Sequence, residues 1–472
     1  MKIETINVEQ TIKDTKRLLD EDPNVSPALK SSIKLLLVLV TLLLNRLGLN
    51  SSNSSKPPST DPNRKKKKKK KSSKKKPGGQ NGHNGTTLQK FTDPDVIEDI
   101  PVDKTTIPEG SYKDVGYESR QIVDIDISRI ITEYRAQVLE GADGKRYTAP
   151  FPEGVSRPVQ YGINVKVHSV YMSQYQLVPY NRVEENFQDQ VGIPISAGSV
   201  YNFNKSAYER LEVFEAIVKS KLIESDLCHA DETGINIEGQ RRWLHCVSNN
   251  WWTYYYPHEK RGLKAMEAMG VLPSFKGILC HDHWKPYFKI DCQHSLCNAH
   301  HLRELERAWE QDKQKWARDI RDLLLQINKA VDDAGGQLST ADSVRYKQQY
   351  RESLEKAEKE CPPPDESQRK GKRGRLKRSK SRNLLERLRD FENETLLFMN
   401  DAKVPFSNNQ GERDIRMTKV QQKISGCFRA MKGAAMFCRI RSYLSTCRKN
   451  GVRASEALRL LFEGKLPEFL NE

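Results

Sequence analysis

The chain has 472 residues, more than one ordinary domain, and its 79 Lys and Arg outnumber 62 Asp and Glu to give a formal net charge of +17. Its longest apolar stretch, Leu35 to Leu44, is interrupted by Thr41 and is shorter than the roughly 20 residues that cross a membrane, so we expect no membrane protein. Met1 to Gln10 lacks the apolar core of a signal peptide, and nine cysteines fit the reduced thiols of a cytoplasmic protein.

The positive charge is concentrated in two runs. Arg64 to Lys76 carries eleven basic residues and Arg369 to Lys380 carries eight, with no acid in either, so the rest of the chain is close to neutral. Such runs are typical of solvated, disordered segments, and the same flexible cations bind polyanions, either nucleic acid or an acidic membrane surface. Charge alone leaves these alternatives open.

Residues 1–50 are predicted to form a helix with an apolar seam. Apolar residues recur at alternating steps of four and three from Leu29 to Leu47, Pro23 and Pro27 fix the start, and Gly48 ends the pattern. A seam of about three heptads predicts a leucine-zipper-like coiled-coil helix and therefore a homo-oligomer. The alternative is a helix that is buried within its own chain.

Two segments follow this helix. Residues 51–92 are predicted to be a disordered basic linker, because Ser, Pro, Lys and Gly dominate them. Residues 93–155 contain β-favouring runs at 122–127 and 130–134, which predict a small β module. The first cysteine of the chain is Cys228, which excludes a cysteine-based zinc ribbon here.

Residues 156–220 are predicted to be helical and helix-turn-helix-like. Val183 and Phe187 share one helical face, Gly192 interrupts the pattern, and Ser196 can cap a second helix. Any two packed helices with a glycine between them give the same pattern, so DNA reading is one of two interpretations here.

Residues 221–310 have the element order of a ribonuclease-H-like core. Three strand-like runs between 226 and 257 are followed by an amphipathic helix around 262–269, an apolar strand at 275–282 and a helix from about His300. The predicted fold class is therefore α/β, in a multi-domain chain.

Two carboxylates stand out in this core. Asp231 lies at the centre of the first predicted strand and Asp282 ends the fourth, and such a pair suits Mg²⁺ or Mn²⁺. Two ions can activate the attacking oxygen and stabilise the leaving one in phosphodiester cleavage. The third acid is predicted to be Glu412, in the first turn of a basic helix, with Glu304 and Asp291 as alternatives nearer in sequence.

The remaining segments extend the core. Residues 311–400 are predicted to be a helical basic insertion, residues 401–448 return to the core with the helix of the third acid, and residues 449–472 form a helical tail.

Cys297 and His300 have the spacing of a zinc-ligand pair, although the nearby cysteines and histidines follow no standard finger pattern. The alternative is a small buried cysteine and a histidine that faces DNA or a carboxylate.

Distinctive motifs accompany these residues: HADETG at 229–234, HDHWKPY at 281–287, CNAHHLREL at 297–305 and SNNQGERDIR at 407–416, after a linker that contains SSNSSKPPSTD and PGGQNGHNGTTL. In these motifs and in their order the sequence resembles the transposases of the insertion-sequence-66 family, which are enzymes of bacterial mobile elements with an Asp-Asp-Glu triad. Family members commonly carry a cysteine-based zinc finger after the linker, and the cysteine-free β module departs from that pattern.

The resemblance implies an activity and its residues. Asp231, Asp282 and Glu412 would be catalytic and metal-binding, the two aspartates sharing one Mg²⁺ (or Mn²⁺) and Glu412 holding a second ion. The enzyme would bind the terminal repeats of the element, hydrolyse a phosphodiester to free a 3′-hydroxyl, and join that hydroxyl to target DNA. The resemblance thus favours Glu412 over Glu304 as the third acid.

For such an enzyme the basic segments predict DNA contacts, which we assign to Lys65, Lys68, Lys71, Lys75, Arg373, Arg375, Arg378, Arg413, Arg416 and Lys419. The expected partners are DNA, further copies of the chain and accessory proteins of the same element, in the bacterial cytoplasm and associated with the nucleoid. Two other functions stay open: a nuclease on the same scaffold that cuts without joining, and an inactive, transposase-derived DNA-binding protein.

Overall fold

The computed structural model describes residues 2–3, 6–54, 61, 63, 88–365, 367 and 376–471. Six of the basic residues that we assigned to DNA lie outside these ranges: Lys65, Lys68, Lys71, Lys75, Arg373 and Arg375. The chain divides into two compact units, a larger one of residues 1–65, 151–186 and 194–472 and a smaller one of residues 66–150 and 187–193.

The larger unit begins with a short hairpin and two helices: β1 (Lys2–Ile3), β2 (Ile6–Asn7), α1 (Val8–Glu21) and α2 (Pro27–Leu47). The Ser26 hydroxyl accepts a hydrogen bond from Leu29 N at 3.3 Å and caps α2, which ends at Gly48 as predicted. No residue of α2 is buried against the described part of the chain. The predicted seam is therefore available to a partner, and oligomerisation through it stays a prediction.

By length and composition α2 could cross a membrane, and it is the one helix among the described residues that passes this test. From the sequence we expected no segment that is long and apolar enough to cross a membrane, because we counted only the stretch from Leu35 to Leu44. The whole of α2 is long and apolar enough. A single helix of this kind is weak evidence for a span, because core helices of soluble proteins and signal sequences pass the same test.

The smaller unit contains less β-structure than the sequence predicted. In the described residues its strands are β3 (Val138–Glu140) and β4 (Arg146–Thr148), which form an antiparallel pair. The runs at 122–127 and 130–134 form no strand, and their isoleucines are exposed. The prediction of strands there was wrong, because β-favouring residues form a strand only where a second strand pairs with them and a core covers one face.

Between β4 and the central sheet lie the helices α3 (Ile163–Val170), α4 (Tyr180–Val191), α5 (Ala197–Arg210) and α6 (Glu212–Ile223). Gly192 follows α4 with a φ of 61°, and the Ser196 hydroxyl accepts a hydrogen bond from Ser199 N at 3.1 Å to cap α5. The two helices lie where the sequence predicted them, and their use as a helix-turn-helix stays a prediction.

A five-stranded mixed sheet forms the centre of the larger unit, with the strands β5 (Leu227–Ile237), β6 (Gln240–Ser248), β7 (Thr253–His258), β8 (Ile278–His281) and β9 (Gln293–Leu296). Their order in space is β7-β6-β5-β8-β9. The first three strands pair antiparallel, whereas β8 and β9 run parallel to β5. Helix α7 (Leu263–Met269) lies between β7 and β8 in the chain. The α/β class that the sequence predicted is confirmed.

The described chain after the sheet is helical, in the elements α8 (Asn298–Glu310), α9 (Lys315–Asp333), α10 (Thr340–Glu360), α11 (Lys380–Asp390), α12 (Glu392–Leu396), α13 (Asn409–Ser425), α14 (Met431–Lys449) and α15 (Ala454–Phe462). Helices α8 to α12 share an apolar core around Trp316, Leu324 and Tyr350. Ile415 of α13 and Phe437 of α14 pack with β5 and β6 in another core, which fixes α13 beside β5.

Candidate active site

Asp231 and Asp282 lie at the same level of neighbouring strands. β5 pairs in parallel with β8, with His229 opposite Cys280, and each aspartate follows two residues later. Because side chains alternate along a strand, the two carboxylates occupy the same end and the same face of the sheet. The loop after β8 fixes Asp282, whose Oδ1 accepts a hydrogen bond from Trp284 N at 2.9 Å.

Glu412 comes to this end of the sheet from the first turn of α13. It lines an open cleft of about 1490 Å³ together with Asp231. The structure therefore brings together two acids that are far apart in the sequence.

Asn408 joins α13 to β5 directly. It is 2% exposed, its Nδ2 donates to Ala230 O at 2.8 Å, and its Oδ1 accepts a hydrogen bond from His229 Nδ1 at 2.7 Å. Gly411 leaves room for this amide, because a Cβ at Gly411 would lie 3.0 Å from Asn408 Oδ1. The sequence analysis missed this role, although an asparagine and a glycine one helical turn apart beside the third acid were a visible signal.

Burial and neighbouring carboxylates raise the pKa of Asp231 to about 8. Burial is the largest cause, and the negative charges of Glu232, Asp282 and Glu412 add to it, partly offset by the hydrogen bond from Glu232 N. All three acids predicted from the sequence are thus close enough for their charges to interact.

Glu232, which the sequence analysis overlooked, connects the walls of the site. Its carboxylate is 2% exposed and accepts hydrogen bonds from Arg261 Nε at 2.8 Å and from the Tyr287 hydroxyl. The Arg261 guanidinium lies 4.2 Å from the centre of the Trp284 ring. These contacts join β5 to the loop after β8, so the segments that carry the two aspartates keep their relative position. A second acid directly after the first was the signal available in the sequence.

Cations line the same cleft as the acids. Arg413, Arg416 and Lys419, which were predicted to contact DNA, border it together with Arg241 and Arg303, which the sequence analysis did not single out. Burial and the charge of Arg241 lower the pKa of Lys419. Asp231 and Glu412 therefore lie in a cleft with a cationic lining, an arrangement that suits a phosphate backbone.

Other residues considered in the sequence lie elsewhere. Arg378 forms an ion pair with Glu386 of α11, and Glu304 of α8 forms one with Arg387 of α11. The side chain of Asp291 is 95% exposed. Neither alternative third acid lines the cleft.

The predicted zinc pair lies beside Glu412. Cys297 directly precedes α8 without capping it through its side chain, and His300 lies in the first turn of that helix. Cys297 Sγ accepts a hydrogen bond from Asn408 N at 3.0 Å. One ligand atom from each of Cys297, His300 and Glu412 lies within 4.8 Å of the others.

The carboxylates fit hard divalent cations. Asp231, Asp282 and Glu412 offer the oxygen ligands that Mg²⁺ and Mn²⁺ prefer. The negative charges of Glu232, Asp282 and Glu412 add to the burial that raises the pKa of Asp231, and a bound divalent ion would offset their repulsion.

Comparison with known proteins assigns the chain to a family. Residues 159–436 match the model of the transposase IS66 family, a range that contains the whole sheet and all three acids. Residues 5–89 match a family of unknown function (DUF6444). No curated protein matches the chain. Because the first match covers more than half of the sequence, the chain belongs to the IS66 family of transposases.

Proposed function

We propose that this transposase cleaves phosphodiesters at the ends of its mobile element and joins the resulting 3′-hydroxyl to target DNA by divalent-metal catalysis. One observation supports this function above the others: Asp231 and Glu412 line one cleft together with arginines and a lysine, and the charges of Asp282 and Glu412 both act on Asp231. An acidic cluster that binds only structural ions has no need of a cationic cleft around it.

The strand order supports a ribonuclease-H-like core. If the five strands are numbered one to five along the chain, from β5 to β9, their order across the sheet is 3-2-1-4-5. Strand 2, which is β6, is the one that runs opposite to the other four. The first and fourth strands are therefore neighbours and run in the same direction. That adjacency lets one acid from each contribute to a single site.

The chain's own side chains would hold the cofactor and the DNA. Asp231 and Asp282 would share one Mg²⁺ or Mn²⁺, and Glu412 would hold a second. Bound in this way, two such ions supply an activated attacking oxygen and stabilise the leaving oxygen. Arg413, Arg416 and Lys419 would contact backbone phosphates.

The N-terminal helices suit an oligomer. The apolar seam of α2 is exposed except at Ile33, which is half-buried, and a second copy of the same helix is complementary to it. The end of α2 is fixed to the catalytic unit, since Gln311 Nε2 donates to Asn45 O at 3.1 Å. We propose that the chain forms a homo-oligomer through α2 and that α4 and α5 read DNA. The enzyme would act on DNA in the bacterial cytoplasm, and accessory proteins of the element would be further partners.

A strand-transfer assay tests the proposed function. The full chain is incubated with Mg²⁺, labelled duplexes that carry the ends of its own element, and unlabelled target DNA. We expect free 3′-hydroxyl ends followed by joined products, and Asp231→Asn should abolish both while DNA binding changes by less than about twofold.

Each other outcome contradicts a definite part of the proposal. Cutting without joining would indicate a nuclease, and binding without cutting would indicate an inactive descendant. Cleavage that survives in Asp231→Asn would mean that another acid is the catalytic one.

A further inference from the structure

Three different donor atoms meet at the start of α8. Cys297 and His300 stand three residues apart, so they share one face of the first helical turn, and Glu412 of α13 faces them. His300 Nδ1 lies 3.8 Å from Glu412 Oε1, and all three ligand atoms lie within 4.8 Å of one another. Sulfur, nitrogen and oxygen donors together form a ligand set different from the oxygen-only set of the two aspartates.

We propose that Cys297, His300 and Glu412 form a separate site for a borderline transition ion such as Zn²⁺ or Co²⁺, with water as the fourth ligand. Glu412 is a ligand of this site and also one of the three proposed catalytic acids. We further propose that an ion bound to Cys297, His300 and Glu412 keeps the Glu412 carboxylate from binding the catalytic ion and so inhibits DNA cleavage. Only this second part depends on the proposed function.

The histidine is prepared for a metal. His300 Nδ1 is buried and has no hydrogen-bond partner among the described residues, an arrangement that costs free energy unless something binds there. Burial and the charge of Arg303 lower the pKa of His300, although nearby acids oppose this. A metal ion bound through Nδ1 would supply the partner that this nitrogen lacks, and the neutral imidazole is the form that binds it.

The cysteine is held in place for the same purpose. Burial raises the pKa of Cys297, so the free protein holds a thiol, and a metal must displace its proton to solvent. The backbone N–H of Asn408 already donates to this sulfur, and the N-terminus of α8 adds a positive potential. Both features stabilise the thiolate that forms when the metal binds.

Charge and geometry agree with a divalent ion. A thiolate and a carboxylate supply two negative charges, and Arg303, 3.3 Å from Glu412 Oε1, supplies one positive charge at the edge. Zinc bonds of about 2.0–2.3 Å place tetrahedral ligand atoms roughly 3.3–3.8 Å apart, so a side-chain movement of about 1 Å closes the set. Mg²⁺ does not compete here, because it prefers oxygen ligands in octahedral geometry.

A Co²⁺ titration of the full chain without DNA tests the site. A thiolate ligand gives Co²⁺ a charge-transfer absorption band that oxygen-only sites lack. The wild type and the control Cys427→Ser, which removes the exposed cysteine of the cleft, should develop the band equally, and Cys297→Ser should lose it. His300→Gln and Glu412→Gln should each raise the Co²⁺ Kd at least about tenfold.

No band in the wild type, or an undiminished band in Cys297→Ser, would overturn the site. If circular dichroism shows that Cys297→Ser is unfolded, the test rests on His300→Gln and Glu412→Gln. An unchanged Co²⁺ Kd in both of these variants would overturn the proposed site. A chain that shows the band but never cleaves DNA would support the site and refute the proposed function. In an active enzyme, Zn²⁺ should inhibit Mg²⁺-dependent cleavage at the concentrations that displace Co²⁺, and its failure to do so would overturn the inhibitory part.

Discussion

Two parts of the larger unit are rich in charge, and they arrange it differently. Among helices α8, α10 and α11, cations lie beside acids: Arg382 pairs with Glu358 and Arg387 with Glu304. At the cleft, Asp231 is affected by the charges of Glu232, Asp282 and Glu412 and has no ion pair to a cation in the described part of the chain. Arg416 lines the same cleft with no ion pair to an acid there, although Glu412 lies 3.3 Å from Arg303.

This difference separates structural charge from functional charge. The paired charges on α8, α10 and α11 neutralise one another and hold these helices together. Gathered carboxylates repel one another and reduce stability, so such an arrangement is retained where a ligand uses it. Paired and unpaired charges therefore predict different consequences when they are mutated.

The largest difference should separate Glu412 from Glu304, one acid from each part. Glu412→Gln should lower Mg²⁺-dependent cleavage by at least about 10³-fold, because it removes a carboxylate that binds the ion. Glu304→Gln breaks an ion pair with Arg387 and should change cleavage by less than about threefold. Single-turnover cleavage rates at saturating DNA measure both. Equal losses would remove the distinction between the two parts.

A smaller effect should follow from releasing α13 from β5. Asn408→Ala removes the hydrogen bonds to His229 and Ala230 and should raise the Mg²⁺ concentration for half-maximal cleavage by about 10–100-fold. The neighbouring Asn409 is exposed and serves as the control, since Asn409→Ala leaves that hydrogen-bonded tie intact. An unchanged Mg²⁺ requirement in Asn408→Ala would mean that the tie does not position Glu412.

The arginines that line the cleft and the arginine that is paired with Glu386 should differ in their effect on DNA binding. The double variant Arg413→Ala, Arg416→Ala should weaken DNA binding by about tenfold and reduce the salt slope by about 2. Arg378→Ala, whose parent side chain pairs with Glu386, should lower thermal stability and leave the salt slope unchanged. Binding titrations at several salt concentrations distinguish the variants, and a reduced slope in Arg378→Ala would show that the insertion arginine contacts DNA.

The smallest effect concerns stability and pH. The pKa of Asp231 is about 8 in the folded chain and ordinarily 3.8, so between these values the folded state binds the extra proton and stability falls as pH rises. Asp231→Asn has no carboxyl group to titrate at this position, so its stability should not fall in this way. The difference in free energy of unfolding, variant minus wild type, should rise by about 1 kcal/mol from pH 5 to pH 8, after allowance for partial exposure.

Urea unfolding of the metal-free protein at the two pH values measures this difference. Asp291→Asn is the control, because its parent side chain is almost fully exposed and should show a change near zero. A difference between Asp231→Asn and the wild type that does not vary with pH would contradict the raised pKa.

The sequence predicted those parts of the fold whose signals are local. Strand and helix patterns located β5 to β8 and α13 closely, and the motifs at 229–234 and 281–287 contain the acids that lie in β5 and directly after β8. The family match then confirmed the resemblance that the motifs indicated. Each of these signals lies within a few consecutive residues.

What the sequence did not predict depends on contacts between distant segments. Asn408 matters through hydrogen bonds to β5, and Glu232 through Arg261, and neither partner is visible in a local pattern. The absent strands near Ile125 fail for the same reason, because a strand needs a pairing partner that propensity does not supply. The pairing of Arg378 was equally hidden within a run of basic residues.

The central proposal is that Asp231, Asp282 and Glu412 together form one site that holds two divalent cations. Electron paramagnetic resonance of Mn²⁺ added to the free protein counts bound ions without any need for catalysis. The site predicts that Asp231→Asn, Asp282→Asn and Glu412→Gln each weaken Mn²⁺ binding relative to the wild type, by at least about tenfold. Wild-type Mn²⁺ affinity in any one of the three variants would contradict the claim.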